Sequence, residues 1–134
     1  MAKLNALPKD LLKFLDAADE DFIYAYETRR YGVLANRFTQ RASKIVEKMV
    51  AVDGNTRYFG KRNMRTTTWE LIDEDIDSYT IQKTCVYKKI HVTLFKTIKA
   101  SEDYTCEWVV INSDENAYGW KVDVIRQEEY IYGD

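Results

Sequence analysis

The chain carries a single histidine, a single proline, two cysteines and five glycines. Each scarcity removes a class of chemistry. With His91 as its one imidazole and no CxxC pair, the sequence offers no zinc ligand set. Cys85 and Cys106 are too few for a disulfide framework. Both fall at strand positions that alternate with apolar neighbours, so they read as buried free thiols, with one cross-strand disulfide as the alternative. No glycine-rich phosphate loop, serine-centred elbow or metal-ligand cluster is present, and no cofactor is expected. No stretch approaches the roughly 18 apolar residues that span a bilayer. The first five residues lack the apolar run of a signal peptide. Together these point to the cytoplasm, with an exported domain trimmed of its signal or anchor as the alternative. No linker, repeat or low-complexity segment divides the chain. Residues 1–134 therefore read as one domain, with a core from about 8 to 126 and a polar C-terminal tail.

What remains is ample for a packed core: 134 residues, 46% hydrophobic, with ten tyrosines and three tryptophans. Pro8 suits a helix start. From there Leu11, Leu15, Ala18, Phe22, Ala25 and Tyr26 recur at three- and four-residue steps, the face of an amphipathic helix. Lys13, Asp16, Asp19, Glu20 and Glu27 are assigned to the opposite face. Arg29 and Arg30 complement the helix dipole, and Gly32 is the expected left-handed cap. Val33, Leu34, Phe38, Ala42, Ile45, Val46, Met49 and Val50 trace a second apolar face. Thr39 is the expected N-cap of a long helix that follows a short one. Asp53-Gly54-Asn55 is its stop.

Beyond Asn55 the period becomes two. Trp69 and Leu71 point one way, Thr68, Glu70 and Ile72 the other. Residues 73–78 form an acidic turn. The run from Tyr79 to Lys99 reads as one long strand with a parity slip. Tyr79, Ile81, Cys85 and Tyr87 are odd, whereas Ile90, Val92, Leu94 and Ile98 are even, which predicts a β-bulge or bend at Lys88-Lys89. Residues 100–103 are a predicted hairpin loop. Tyr104, Cys106, Trp108 and Val110 share a face, residues 112–116 form a second loop, and Trp120, Val122 and Val124 line the last strand.

Helices first, then a curved antiparallel sheet, is an α+β order. Residues 24–30 closing the first helix, Leu34 and Phe38-Thr39 opening the next, Trp69-Glu70-Leu71, Glu107-Trp108-Val109-Val110 and Gly119-Trp120-Lys121-Val122 together resemble the NTF2-like (cystatin-like α+β cone) superfamily. The resemblance covers about residues 8 to 126. It implies a conical fold with a mouth between sheet and helices and, as in many relatives, homodimerisation through the sheet. It implies no activity, since members include isomerases, dehydratases, adaptors and pure binding domains. The enzymes among them hold an Asp or His base in an apolar cavity with a hydrogen-bond donor nearby. No convincing base is visible here. Asp73, Asp75 and Asp77 lie in a turn, and Asp123 and His91 alternate away from apolar neighbours. The bulge would also set Cys85 and His91 on opposite faces.

Charge is segregated along the chain. Ten basic residues lie between Arg29 and Arg65 against only Glu47 and Asp53, a local +8 within a net charge of −2. Arg37, Arg41, Lys44 and Lys48 fall at helical spacing. They read either as a solvated face balanced by the acidic first helix or as a partner-binding stripe. A sequence pI near 5.5 argues against nucleic acid. Tyr26, Trp69, Tyr87, Trp108 and Trp120 either fill the cone or line a pocket for a small apolar ligand with a polar end. The favoured function is a non-enzymatic binding or assembly domain that presents this aromatic concavity or the basic helix face to a protein. The alternatives are a small-molecule enzyme of the isomerase or dehydratase kind with an unidentified base, and an accessory or regulatory protein of a mobile element.

Overall fold

A computed structural model describes residues 7–53, 65–92, 97–114 and 118–126. Helix α1 spans Lys9–Thr28 and buries Leu11, Leu15, Ala18, Phe22, Ala25 and Tyr26, the face its spacing predicts, together with Phe14 and Ile23. Two expectations for α1 are corrected. Asp19 lies on the buried face, because α1 packs over a sheet that carries a buried cation. The left-handed cap is Arg29 at φ 60°, not Gly32, which lies in the 3₁₀ turn Tyr31–Asn36. Side-chain chemistry fixes the reversal early. The Thr28 hydroxyl donates to the Tyr24 carbonyl (2.7 Å) and accepts from the Arg30 amide, while the Arg29 amide donates to the Ala25 carbonyl (2.8 Å). Helix α2 spans Gln40–Asp53. Thr39 caps it as expected, its hydroxyl accepting from the Ala42 amide. Gly54 and Asn55 lie outside the described residues, as do residues 127–134 of the polar tail.

Four strands follow: β1 (Arg65–Glu74), β2 (Ser78–Val92), β3 (Thr97–Asn112) and β4 (Trp120–Arg126). They form one antiparallel sheet in sequence order. The molecule is thus α+β, with N-terminal helices packed against the sheet. The inward faces follow the alternation: Trp69 and Leu71 against the core, then Ile81 and Cys85, then Cys106, Trp108 and Val110. Both cysteines are buried and free.

The expected bulge at Lys88-Lys89 is absent. Pairing between β2 and β3 runs unbroken from Ser78 opposite Ile111 to Val92 opposite Thr97. The run from Tyr79 to Lys99 is parts of two strands: Ile98 lies on β3 opposite His91, whereas Ile90 and Val92 stay on β2 at the parity opposite to Ile81 and Cys85. Residues 100–103 are not a loop but the middle of β3, opposite Lys89, Lys88, Tyr87 and Val86. Cross-strand pairing in register with β2 overrides their turn propensity. Unbroken pairing also puts Cys85 and His91 at the same register parity. They are six residues apart on one strand, about 20 Å at strand rise, which separates them just as effectively.

The bulges lie elsewhere. In β1 the register shifts at Ile72, leaving that side chain exposed. In β4 it shifts at Asp123, since Val109 faces Val124 but Val110 faces Val122. The extra residue switches parity, so Val122 and Ile125 are buried and Val124 is only half-buried, which corrects the expected Trp120–Val122–Val124 face. The bulge also frees the Val122 backbone for a second partner. Its amide donates to the Arg37 carbonyl (2.8 Å) and its carbonyl accepts from the Thr39 amide (2.9 Å). The junction between the 3₁₀ turn and α2 is thereby bonded, as a short parallel bridge, to the edge of β4.

Candidate functional site

Among the described residues, aromatic rings pack on one another between helices and sheet. Trp108 is fully buried, and its ring meets Trp69 at 5.2 Å, Phe38 at 5.6 Å and Phe22 at 5.9 Å between centroids, all edge-on. Tyr26 is buried against Phe22. Trp69 is half-buried and donates its indole N–H to Asp16 (2.9 Å). Tyr87 is placed by its backbone alone, opposite Arg65 and Glu102. Trp120 is half-buried and packs against the core from β4.

Within this interior sits a pair that alternation alone did not single out. Lys83 is 0% exposed and its ammonium lies 2.5 Å from the carboxylate of Asp19, itself 4% exposed. The Thr67 hydroxyl donates to the other Asp19 oxygen (3.0 Å), and the Lys83 nitrogen stands 4.0 Å from the Phe22 ring centroid and 5.0 Å from that of Trp108. Ion pairing, a hydrogen bond and two aromatic faces thus stand in for lost hydration. The sequence marks the two positions without pairing them: Lys83 interrupts the odd-numbered series Tyr79, Ile81, Cys85, and Asp19 falls four residues from both Leu15 and Ile23.

The concavity that opens to solvent lies at the start of α1. It encloses about 310 Å³. Phe14 and Ala17 of α1 and Trp120 of β4 line it, with Tyr118, Arg37, Lys13 and Asp10 around them. Helical spacing puts Asp10, Lys13, Phe14 and Ala17 on one side of α1. Gly119, at φ 88°, makes the turn that carries Tyr118 back over Phe14, 6.0 Å away between rings. Trp120 stands at the same distance from Phe14.

Arg37 is held rigidly here. One guanidinium nitrogen donates to Asp21 (2.7 Å), another to the Tyr118 hydroxyl (2.8 Å), and the group lies 4.5 Å from the Tyr118 ring centroid. Its Nε is buried with no hydrogen-bond partner among the described residues. The four-residue basic stripe is therefore divided. Arg37 is 19% exposed and belongs to the groove, Arg41 pairs with Asp123 while remaining 66% exposed, and Lys44 and Lys48 are exposed on α2. Asp123, expected to face outward, is half-buried and bonds Thr39 (2.9 Å) as well as Arg41. One member of each sequence-derived set, Trp120 and Arg37, meets in this groove.

Near the 3₁₀ turn, the Tyr31 phenol is raised above its ordinary value, by burial first and then by the Glu47 carboxylate, with Arg29 opposing. Among the described residues no group of three or more His, Cys, Asp or Glu is arranged to hold a metal, and no helix is long and apolar enough to cross a membrane.

No family model matches this chain, and no curated protein does. The fold is similar to that of a solved periplasmic fragment of TraM, with a TM-score of 0.59 over 88% of this chain and 96% of that one, at 14% identity. A likeness at that identity concerns the fold alone.

Proposed function

We propose that this chain is a non-enzymatic binding or assembly domain that accepts an apolar or aromatic side chain of a partner protein in the α1–β4 groove. One observation carries the reading. Among the described residues Trp108 is closed in by Phe22, Phe38 and Trp69, whereas an aromatic-floored concavity of about 310 Å³ opens beside a fixed guanidinium. That volume is at the low end for ligand sites, roughly 300–1,000 Å³, and suits one large side chain better than a whole cofactor. The helix-then-sheet order supports an NTF2-like assignment. The isomerase or dehydratase reading would need an accessible inward base. Asp19 is inward, but it is bonded to Lys83 and Thr67 in packed surroundings.

Titrating the labelled protein with short peptides carrying Trp, Phe or Leu should shift the Ala17 methyl and the Trp120 indole signals. Ala17→Trp, which fills the groove from α1, should abolish those shifts while leaving the spectrum folded. Shifts that persist in the filled variant, or that map to α2 instead, would sink the groove.

Of the two locations weighed from the sequence, we propose the exported one, the compartment of the periplasmic fragment whose fold this chain shares. The natural full-length gene product fused to a phosphatase active only after export should give activity. A silent fusion of confirmed expression would return the domain to the cytoplasm.

A further inference from the structure

The acidic turn between β1 and β2 and the basic outer face of α2 have no role in the groove. The turn is a built feature. The Asp75 amide donates to the Ser78 carbonyl (2.9 Å), an Asp75 carboxylate oxygen accepts from the Ile76 amide (2.8 Å), and the Asp77 carbonyl accepts from the Asn112 amide (3.1 Å). These bonds hold Ile76 outward at 93% exposure, ringed by Asp73, Glu74, Asp75 and Asp77, all exposed. An isoleucine in water at the centre of four carboxylates contributes nothing to this fold. It has the form of an apolar anchor inside a charged rim.

The complementary surface is on the same molecule. Arg41, Lys44 and Lys48 are exposed along α2 with Glu47 as the opposing charge. Arg29 adjoins this face, since Tyr31 feels both Arg29 and Glu47. Lys44 and Lys48 make no ion pair among the described residues. Within one chain the two surfaces lie on different elements. The turn belongs to β1 and β2, whereas α2 packs on β4 at the other flank of the sheet.

We propose that the outer face of α2 docks the β1–β2 turn of a second copy of this chain, head to tail. Such a contact joins two different surfaces, so the copy at either end keeps one surface free and assembly continues until a ring closes or a filament grows. The contact uses no groove residue, so its failure and the failure of the groove reading are independent.

The test is mass against concentration by sedimentation. In about 0.1 M salt the average mass should rise with concentration; in about 1 M salt, where the screening length falls from about 10 Å to about 3 Å, it should collapse to the monomer. A turn variant (Asp73→Lys, Asp75→Lys, Asp77→Lys) and a face variant (Lys44→Glu, Lys48→Glu) should each be monomeric alone and re-associate when mixed, because each then supplies what the other lacks. Ile76→Ser should weaken association several-fold with no change of charge. All these positions are exposed, and circular dichroism confirms the fold of each variant. A wild-type chain that stays monomeric throughout overturns the proposal and leaves the basic face to an unlike acidic partner. Salt-insensitive assembly, or variants that stay apart on mixing, overturns it equally.

Discussion

Lys83 and Asp19 set the residue-scale energetics of this core. Each is surrounded by side chains that cannot hydrate it, so each depends on the other and on Thr67. Lys83→Met removes the cation and strands the carboxylate, and should cost about 3–5 kcal/mol. Adding Asp19→Leu removes the stranded charge and should recover most of that loss, because an apolar pair of similar volume is often as stable as a buried ion pair. Denaturant titration of the two variants checks both statements; a double variant as unstable as the single one would refute the account. Neither residue was legible as a pair. Asp19 lies among Asp16 and Glu20, and its neighbours draw it onto the polar side of a helical wheel. Only the three-dimensional fit of α1 over β2 separates it from them. By contrast Trp108 was legible, because a large indole in an alternating strand has few places to go but the core.

At the scale of elements, the helices were the most readable part. Their apolar spacing is set by helix geometry itself, and Thr39 announces its cap through residue type. Thr39 does more than cap: its hydroxyl also bonds Asp123 in the β4 bulge (2.9 Å). Thr39→Ala should therefore cost about 1–2 kcal/mol, the upper half of the usual capping range, and Thr39→Ser should restore most of it. Thermal or chemical denaturation distinguishes this from a cap alone, for which a loss in the lower half of that range, about 0.5–1 kcal/mol, would be found. The strands were less readable. The even-numbered Ile90 and Val92 sit on unbroken β2 at the other parity, and the sequence between Lys88 and Lys99 carries no glycine or proline to mark the reversal that follows. The Asp123 bulge has no local signature. It is recognisable only once the backbone of Phe38 and its neighbours is seen beside Val122.

For the molecule as a whole, the α+β order was available from the change of period near residue 55. Trp69, Trp108 and Trp120 all pack against the core, Trp120 beside Phe14 of α1 at the mouth of the groove, where Gly119 turns the chain. Single-residue patterns cannot show that Arg37 leaves the α2 stripe to join it, because Asp21 and Tyr118, its anchors, come from opposite ends of the sequence.

The stitch between Thr39 and the bulge has a kinetic side. Its two partners are 84 residues apart along the chain. Closing so long a loop is entropically expensive, and contacts of this kind form late on the way to the native state. Energy stored there acts mainly as a lock on the finished molecule. Thr39→Ala should thus accelerate escape from the native basin far more than it slows entry, visible as a lifted unfolding arm of the chevron with the folding arm nearly unmoved.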